Sequence, residues 1–123
     1  TWSAPVRITG NGQQIRRANI VVSGDNVHVF GGQSGAGGYG TGVFYFRSTN
    51  GGATWEPGRE LYDDADSSAR IAVDGQTLHV AFADKVTANS FGGRTHYMRS
   101  TDNGTTWSNP VDIAGSGVQA RQQ

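Results

Sequence analysis

One eight-residue pattern occurs twice, 52 residues apart, and it constrains the fold more than any other feature of the sequence. The two copies, Ser48–Trp55 and Ser100–Trp107, share the pattern Ser-Thr-(Asn/Asp)-x-Gly-x-Thr-Trp, and we call them the first and second box turns. A third copy is cut through, because Thr1–Ile8 resembles Thr106–Ile113. Self-similarity at a period of this length is typical of solenoids, propellers and repeat arrays, whose units each pack only on their neighbours.

The sequence around the box turns predicts short strands divided by tight turns. Aligning the repeats on Gly24–Phe30 and Gly75–Phe82 gives four strand candidates in each, with tight turns at Ser23–Asn26 and Asp74–Thr77. The candidates are Ala18–Ser23, Val27–Gly31, Val43–Ser48 and Trp55–Leu61, then Ala69–Asp74, Leu78–Ala83, Thr95–Ser100 and Trp107–Ile113. Such runs predict antiparallel meanders. No segment keeps a 3.6-residue period, so we expect no helix.

Four strands in each repeat is the make-up of a β-propeller blade. We therefore predict an all-β chain with four-stranded antiparallel blades at 18–62 and 63–113. Residues 1–17 would supply an extra outer strand of a preceding blade, Trp2–Thr9, and a connecting loop, and residues 114–123 a connecting tail.

Two blades cannot close a ring of about four to eight. Either the chain is a piece of a longer one that supplies the remaining blades, or several copies assemble into a homo-oligomeric ring. Trp2–Thr9 and Trp107–Ile113 would compete for one outer position in a ring of copies, which favours the first alternative. The start in mid-repeat without methionine fits a processed or engineered boundary.

Composition excludes several classes of partner and site. Ten basic and ten acidic side chains give a formal net charge of zero, so we expect neither nucleic acid nor an anionic membrane as a partner. No apolar run approaches the roughly 20 residues that span a bilayer. The chain has no cysteine, which excludes disulfides and thiolate metal sites. We expect no cofactor and no metal.

Every position of the box turn has a folding role. Asn and Asp side chains accept hydrogen bonds from turn N–H groups, and a serine hydroxyl adds others. Glycine fits positions with positive φ, and tryptophan buries a large ring between sheets. The predicted structural residues are Ser48, Asn50, Gly52, Thr54 and Trp55 in the first turn and Ser100, Asp102, Gly104, Thr106 and Trp107 in the second.

The pattern resembles the Asp box, or BNR repeat, of bacterial and animal sialidases, and also boxes in xyloglucan-type glycosidases and sortilin receptors. The resemblance covers nearly the whole chain, and it implies blades of a six-bladed ring. In these families the box is a structural turn remote from the active site, and its bearers have unrelated activities, so it predicts the fold rather than the activity. It implies a bacterial protein that is extracellular or at the cell surface.

In a propeller of this type, the loops between strands two and three, and from strand four to the next blade, gather on the face opposite the box turns. These loops would form the mouth of a binding site. The candidate ligand-binding residues on them are Arg17, Tyr39, Tyr62, Asp63, Asp64, Arg70, Asp84, Phe91 and Arg94.

Arg70 begins a segment that resembles the sialidase Arg-Ile-Pro motif, with Ala72 in place of proline. The resemblance implies an arginine that clamps a substrate carboxylate through two parallel hydrogen bonds. The first repeat has Asn19 at the equivalent position, so no second clamp arginine can be assigned. The alternative, which we favour, is a strand-end arginine that bridges to a neighbouring loop.

No catalytic residue is predicted. Asp63, Asp64 and Asp66 form an acidic cluster that suits glycosidic acid–base chemistry or a hard cation, but a solvated loop is the favoured interpretation. Sialidase-like chemistry would need a tyrosine nucleophile activated by a glutamate. The only glutamates, Glu56 and Glu60, fall on a predicted outer strand, so no such pair can be placed.

Three functions remain. The first is a non-catalytic propeller module of a secreted or surface protein that binds a glycan or another protein. The second is a fragment of a sialidase-like glycoside hydrolase of the exo-α-sialidase type. The third is a structural unit, excised or engineered, for propeller assembly. Whichever holds, we expect the segment alone to turn over no substrate, because it carries no complete catalytic set.

Overall fold

The computed structural model describes residues 1–10, 13–34, 40–63, 65–84 and 94–113. Within these residues the chain is all-β, with no helix, as predicted. Eight strands form, namely β1 (Ile15–Ser23), β2 (Asn26–Ser34), β3 (Gly40–Ser48), β4 (Arg59–Tyr62), β5 (Ala65–Asp74), β6 (Thr77–Asp84), β7 (Thr95–Ser100) and β8 (Val111–Asp112). It follows that no described segment is a helix capable of crossing a membrane.

The strands form two antiparallel four-stranded sheets, as predicted. Sheet 1 has the order β1-β2-β3-β4 and sheet 2 has the order β5-β6-β7-β8. The first two strands of each sheet meet at a two-residue turn, so that Ser23 pairs with Asn26 in sheet 1 and Asp74 pairs with Thr77 in sheet 2. The first residue of each turn is a glycine at φ 60°, a conformation that is costly for other residues.

Each box turn lies beside this hairpin turn of its own sheet. The Gly51 N–H donates to the Asp25 carbonyl at 2.8 Å, and the Asn103 N–H donates to the Gln76 carbonyl at 2.9 Å. We call this end of the sheets the box end and the opposite end the mouth end. The antiparallel register places the start of β1, the end of β2, the start of β3 and the end of β4 together at the mouth end of sheet 1.

The core lies between the two sheets, in a layer that we call the seam. Sheet 1 contributes Phe30, Val43 and Tyr45, and β5 lies against β1, β2 and β3. Sheet 2 contributes Ala69, Leu78, Val80, Phe82 and Met98. Alternate residues of β6 are buried in this layer because successive side chains of a strand point to opposite faces. Burial of each large apolar side chain here stabilises the fold by about 1.5–3 kcal/mol.

The predicted outer strand Trp2–Thr9 pairs with neither sheet of this chain. Residues 1–10 form no strand, and the Trp2 side chain is 99% exposed. The preceding blade to which this strand is assigned does not lie among the described residues, so the assignment stays a prediction. The fourth strands are shorter than predicted, since β4 begins at Arg59 and β8 at Val111 rather than at the box tryptophan.

Candidate functional site

The first box turn is closed by its own side chains. The Ser48 hydroxyl donates to Asn50 Oδ1 at 2.9 Å and accepts the Gly52 N–H at 2.9 Å. Asn50 Oδ1 also accepts the Thr54 N–H at 2.9 Å, and Asn50 Nδ2 donates to the Thr54 hydroxyl at 2.7 Å. All of these bonds stay within the turn, so the polar groups of the pattern hold its backbone.

The second box turn repeats the arrangement with a carboxylate. Ser100 Oγ donates to Asp102 Oδ1 at 2.8 Å and accepts the Gly104 N–H at 2.8 Å. Asp102 accepts the Thr106 N–H at 2.8 Å and, through Oδ2, the Thr106 hydroxyl at 2.5 Å. These donors, with Thr106 the largest cause, lower the pKa of Asp102 to about 2.

Acid should therefore weaken the second box turn but not the first. Because the pKa of Asp102 is lowered on folding, its contribution to stability is fully present above the unfolded pKa of about 3.9 and is lost as pH falls toward about 2. Asp102→Asn copies the neutral Asn50 of the first turn. We expect the loss of melting temperature between pH ~5 and pH ~2 to be smaller in this variant than in the unmodified chain.

The control for this experiment is Asp25→Asn, at an exposed position in the β1–β2 turn. It changes the net charge by the same amount without touching a box turn. An equal loss of melting temperature in Asp102→Asn and Asp25→Asn would contradict the assigned role of the Asp102 carboxylate.

The two box tryptophans have different surroundings. Trp107 crosses the seam and meets sheet 1 edge to face, with its ring centroid 5.7 Å from that of Phe30 and 5.3 Å from that of Tyr45. Trp55 is half-buried, and its Nε1–H donates to the carbonyl of Gly52 at 3.1 Å. The burial between sheets that the sequence predicts for both box tryptophans is therefore seen for Trp107.

Two arginines of sheet 1 bind the backbone of the second box turn across the seam. Arg47 Nη1 donates to the Asn103 carbonyl at 2.9 Å and to the Thr105 hydroxyl at 3.0 Å. Arg59 donates to the carbonyls of Gly104 and Thr105. Sequence reasoning missed this role. The sequence does contain one signal for this role, because Arg47 and Arg99 each immediately precede the serine of a box turn.

A histidine–tyrosine pair lies on each sheet. In sheet 1, His28 Nδ1 is 2.8 Å from the hydroxyl of Tyr45, and both side chains are buried. Burial raises the pKa of Tyr45 to about 12. In sheet 2, His79 Nδ1 lies 2.7 Å from the hydroxyl of Tyr97. The described residues contain no cluster of three side chains suited to a metal ion. The two histidines thus serve as hydrogen-bonding partners of the tyrosines.

At the mouth end of sheet 1, Arg17 is exposed and has φ 54°, which is the left-handed region. It lies where the β1–β2 register shifts, between Arg16 and Asn19. A bulge of this kind re-aims a side chain. Asn19 Nδ2 donates to the carbonyl of Arg17 at 3.1 Å and to that of Ala69 at 2.8 Å, so the bulge is tied to sheet 2.

Tyr62 lies at the mouth end but faces the seam. Its ring centroid is 4.8 Å from that of Phe82 and 5.2 Å from that of His96. Asp63 follows directly and is exposed. The tyrosine therefore helps to hold the two sheets together beside the predicted binding site, and the carboxylate faces solvent.

In sheet 2, Arg70 is exposed on β5, opposite Ala81 in the register. Arg94 lies at the start of β7, with Nε 3.7 Å from Asp112 Oδ2. Asp84 ends β6, and its side chain lies outside the described part of the structure. Tyr39, Asp64 and Phe91 also lie outside the described residues. Arg17, Tyr62, Asp63 and Arg94 thus fall at the mouth end of the two sheets, and Arg70 lies near the middle of β5.

The two glutamates, Glu56 and Glu60, are not hydrogen-bonded to a tyrosine among the described residues. Glu56 lies at the box end, where it accepts two hydrogen bonds from Arg47 at 2.5 and 2.8 Å. This partner lowers the pKa of Glu56. An exposed guanidinium such as that of Arg70 is of the type that suits a polar or anionic group.

Comparison with known proteins assigns no family to this arrangement. No protein-family model matches the sequence, and no curated protein matches it at a significant level.

Proposed function

We propose that this chain is a segment of an Asp-box β-propeller that acts as a non-catalytic binding module of a secreted or surface protein. Its ligand is a glycan or another protein, held at the mouth end. Sheets 1 and 2 are two of its blades, and their box turns are structural. Further blades come from the parent chain or from other copies.

The observation that carries the proposal is the different use of polar side chains in the box turns and among the predicted ligand-binding residues. At the box end, Ser48, Asn50, Ser100 and Asp102 are hydrogen-bonded within their own turns. Of the predicted ligand-binding residues, Asp63 at the mouth end and Arg70 near the middle of β5 carry charged side chains that face solvent. Polar groups committed to turns serve folding, and exposed charges on a rigid sheet edge are available to a ligand.

A non-catalytic role agrees with the places of the tyrosines and glutamates. The hydroxyls of Tyr45 and Tyr97 are bonded to histidines, and Glu56 is paired with Arg47 at the other end of the sheet. A tyrosine nucleophile with a glutamate base needs the two within hydrogen-bond reach. The described residues do not provide such a pair.

The test is binding of the 123-residue chain to an array of neutral and sialylated glycans, comparing the unmodified protein with Arg70→Ala. We expect binding, and a loss of about tenfold or more in affinity for Arg70→Ala, since a guanidinium–anion contact contributes about 1.5–3 kcal/mol. Asp25→Ala, at the box end, is the matched control and should bind as the unmodified chain does. Equal weakening by both variants, or no binding to any glycan, would contradict the glycan form of the proposal.

A sialidase-like parent is the second candidate, and it is favoured by one observation. Arg70 is exposed on β5, in the segment that resembles the sialidase Arg-Ile-Pro motif. If the clamp belongs to such an enzyme, the segment should bind sialosides without cleaving them. Cleavage of a fluorogenic sialoside by the isolated chain well above a buffer blank would overturn the non-catalytic assignment.

A further inference from the structure

The face of sheet 1 that points away from sheet 2 carries exposed apolar side chains. On β1, Ile20 is 62% exposed and Val22 is 56% exposed. The residues at the matching positions of β5, counted from the glycine of each hairpin turn, are Ile71 and Val73, and these pack into the seam. The same residue types at the same positions are therefore covered in sheet 2 and uncovered in sheet 1.

The correspondence extends over the whole face. Sheet 2 packs against sheet 1 with one of its two faces. The face of sheet 1 that is formed by the equivalent positions is the one that points away from sheet 2, and we call it the open face of sheet 1. The open face is formed by Ile20, Val22, Val27, Val29, Phe44, Phe46 and Trp55, which match the seam residues Ile71, Val73, Leu78, Val80, His96, Met98 and Trp107. Of these, Val27 and Phe46 are already buried, at 8% and 1% exposure. Sheet 1 thus presents outward a set of side chains closely similar to the set that docks inside the chain.

The open face of sheet 2 matches, in turn, the face of sheet 1 that receives sheet 2. His79 and Tyr97 repeat the geometry of His28 and Tyr45, with ring centroids 5.9 Å apart in both pairs. Arg99 occupies the position of Arg47 and is exposed. In the described part of the chain, its guanidinium has no hydrogen bond.

A matching acceptor exists on the first box turn. Across the seam, Arg47 binds the carbonyl of Asn103. The equivalent carbonyl in the first box turn belongs to Gly51, and among the described residues no group donates to it. Arg99 is therefore a donor, and the Gly51 carbonyl an acceptor, equivalent to Arg47 and the Asn103 carbonyl, which are hydrogen-bonded to each other across the seam.

We propose that a second copy of this chain docks head to tail, with the open face of its sheet 1 on the open face of sheet 2 of the first copy. The contact reproduces the seam, and Arg99 of one copy binds the first box turn of the next. It is weaker than the seam, because Ala72, Ala81 and Val111 stand where sheet 1 has Val21, Phe30 and Arg59. Arg70 lies on the open face of sheet 2 that the second copy covers, at the position that Asn19 occupies in the seam, so docking of a second copy and ligand binding at Arg70 exclude each other.

A head-to-tail contact uses different surfaces on the two partners, so it closes into a ring or continues as a filament. Two to four copies would supply the roughly four to eight sheets of a closed propeller. The two surfaces can also be blocked one at a time, which makes the direction of the contact testable.

The experiment measures mass in solution by multi-angle light scattering across a range of concentrations. Ile20→Lys with Val22→Lys blocks the open face of sheet 1, and Ala72→Lys with Arg99→Glu blocks that of sheet 2. We expect the unmodified chain to form oligomers, each double variant alone to be monomeric, and their equimolar mixture to form a dimer with one copy of each. Circular dichroism and thermal unfolding verify that each variant is folded.

The matched control is Thr49→Lys. Its equivalent in the second box turn, Thr101, stays exposed beside the seam, so a charge at this position should leave the oligomer mass unchanged. An unmodified chain that is monomeric at every concentration would overturn the proposal. So would folded double variants whose mixture stays monomeric, or blocked variants that keep the mass of the unmodified oligomer.

Discussion

Replacing Gly104 by alanine is expected to destabilise the folded chain by about 2–5 kcal/mol. Gly104 has φ 84°, where a side chain costs about 1–2 kcal/mol, and its added Cβ would collide with the hydroxyl and ring of Tyr45. Overpacking of this kind costs a further 1–3 kcal/mol or so. Tyr45 cannot move aside without cost, because His28 holds its hydroxyl and its ring packs on Phe30 and Trp107.

The matched control is Gly52→Ala in the first box turn. Gly52 has φ 92°, but the nearest atom to its added Cβ is a ring carbon of Trp55 at 3.9 Å, an ordinary contact. The expected loss is therefore the backbone cost alone, about 1–2 kcal/mol. Urea denaturation of both variants measures the difference in unfolding free energy. Equal losses would show that Tyr45 does not lie against Gly104.

Replacing Phe30 by alanine is expected to lower the free energy of unfolding by about 3–5 kcal/mol. The side chain is fully buried in the seam, with its ring centroid 4.7 Å from that of Tyr45 and 5.7 Å from that of Trp107. Its removal leaves a cavity between the two sheets that rigid aromatic neighbours cannot fill. Ala81, at the matching position of sheet 2, faces outward, so alanine is accepted there.

Denaturation at low protein concentration, where self-association is weak, provides the measurement. Val22→Ala, on the opposite face of sheet 1, is the control, and because Val22 is largely exposed we expect a change within about 0.5 kcal/mol. A cost for Phe30→Ala as small as that of Val22→Ala would contradict the assignment of the covered face of sheet 1.

Sequence reasoning located well those elements that are determined by interactions between residues close together in the sequence. The strand Thr95–Ser100 has the predicted bounds, and both hairpin turns lie at the predicted glycines. The box turns were predictable because Ser48 and Asn50 bond only to groups within a few positions of themselves. Such contacts leave a signature in a short stretch of residues.

The rest depends on contacts between distant parts of the chain. Ile20 and Ile71 are the same residue in the same local pattern, yet only Ile71 is covered, because coverage depends on which sheet face has a neighbour. The predicted strand Trp2–Thr9 depends in the same way on a distant partner edge, that of a preceding blade, and it stays a prediction. The seam role of Arg59 could not be predicted, since its acceptors lie in the other sheet.

The candidate site was predictable only in outline. Arg17, Tyr62, Asp63 and Arg94 fall at the mouth end, because strand order determines which loops share an end, whereas Arg70 lies near the middle of β5. Whether a side chain faces solvent or the seam depends on tertiary packing, which the sequence does not show. Asp63 is exposed, whereas its neighbour Tyr62 packs on Phe82 and His96. The ligand-binding roles assigned to these residues stay predictions until binding is measured.

The central claim, that the second sheet docks on one face of the first through its box tryptophan, is tested most directly by nuclear Overhauser effects from the Trp107 indole. The account predicts cross-peaks from the Trp107 ring to the rings of both Phe30 and Tyr45, whose centroids lie 5.7 and 5.3 Å away. Trp107 cross-peaks confined to residues of its own sheet, with none to Phe30 or Tyr45, would contradict it.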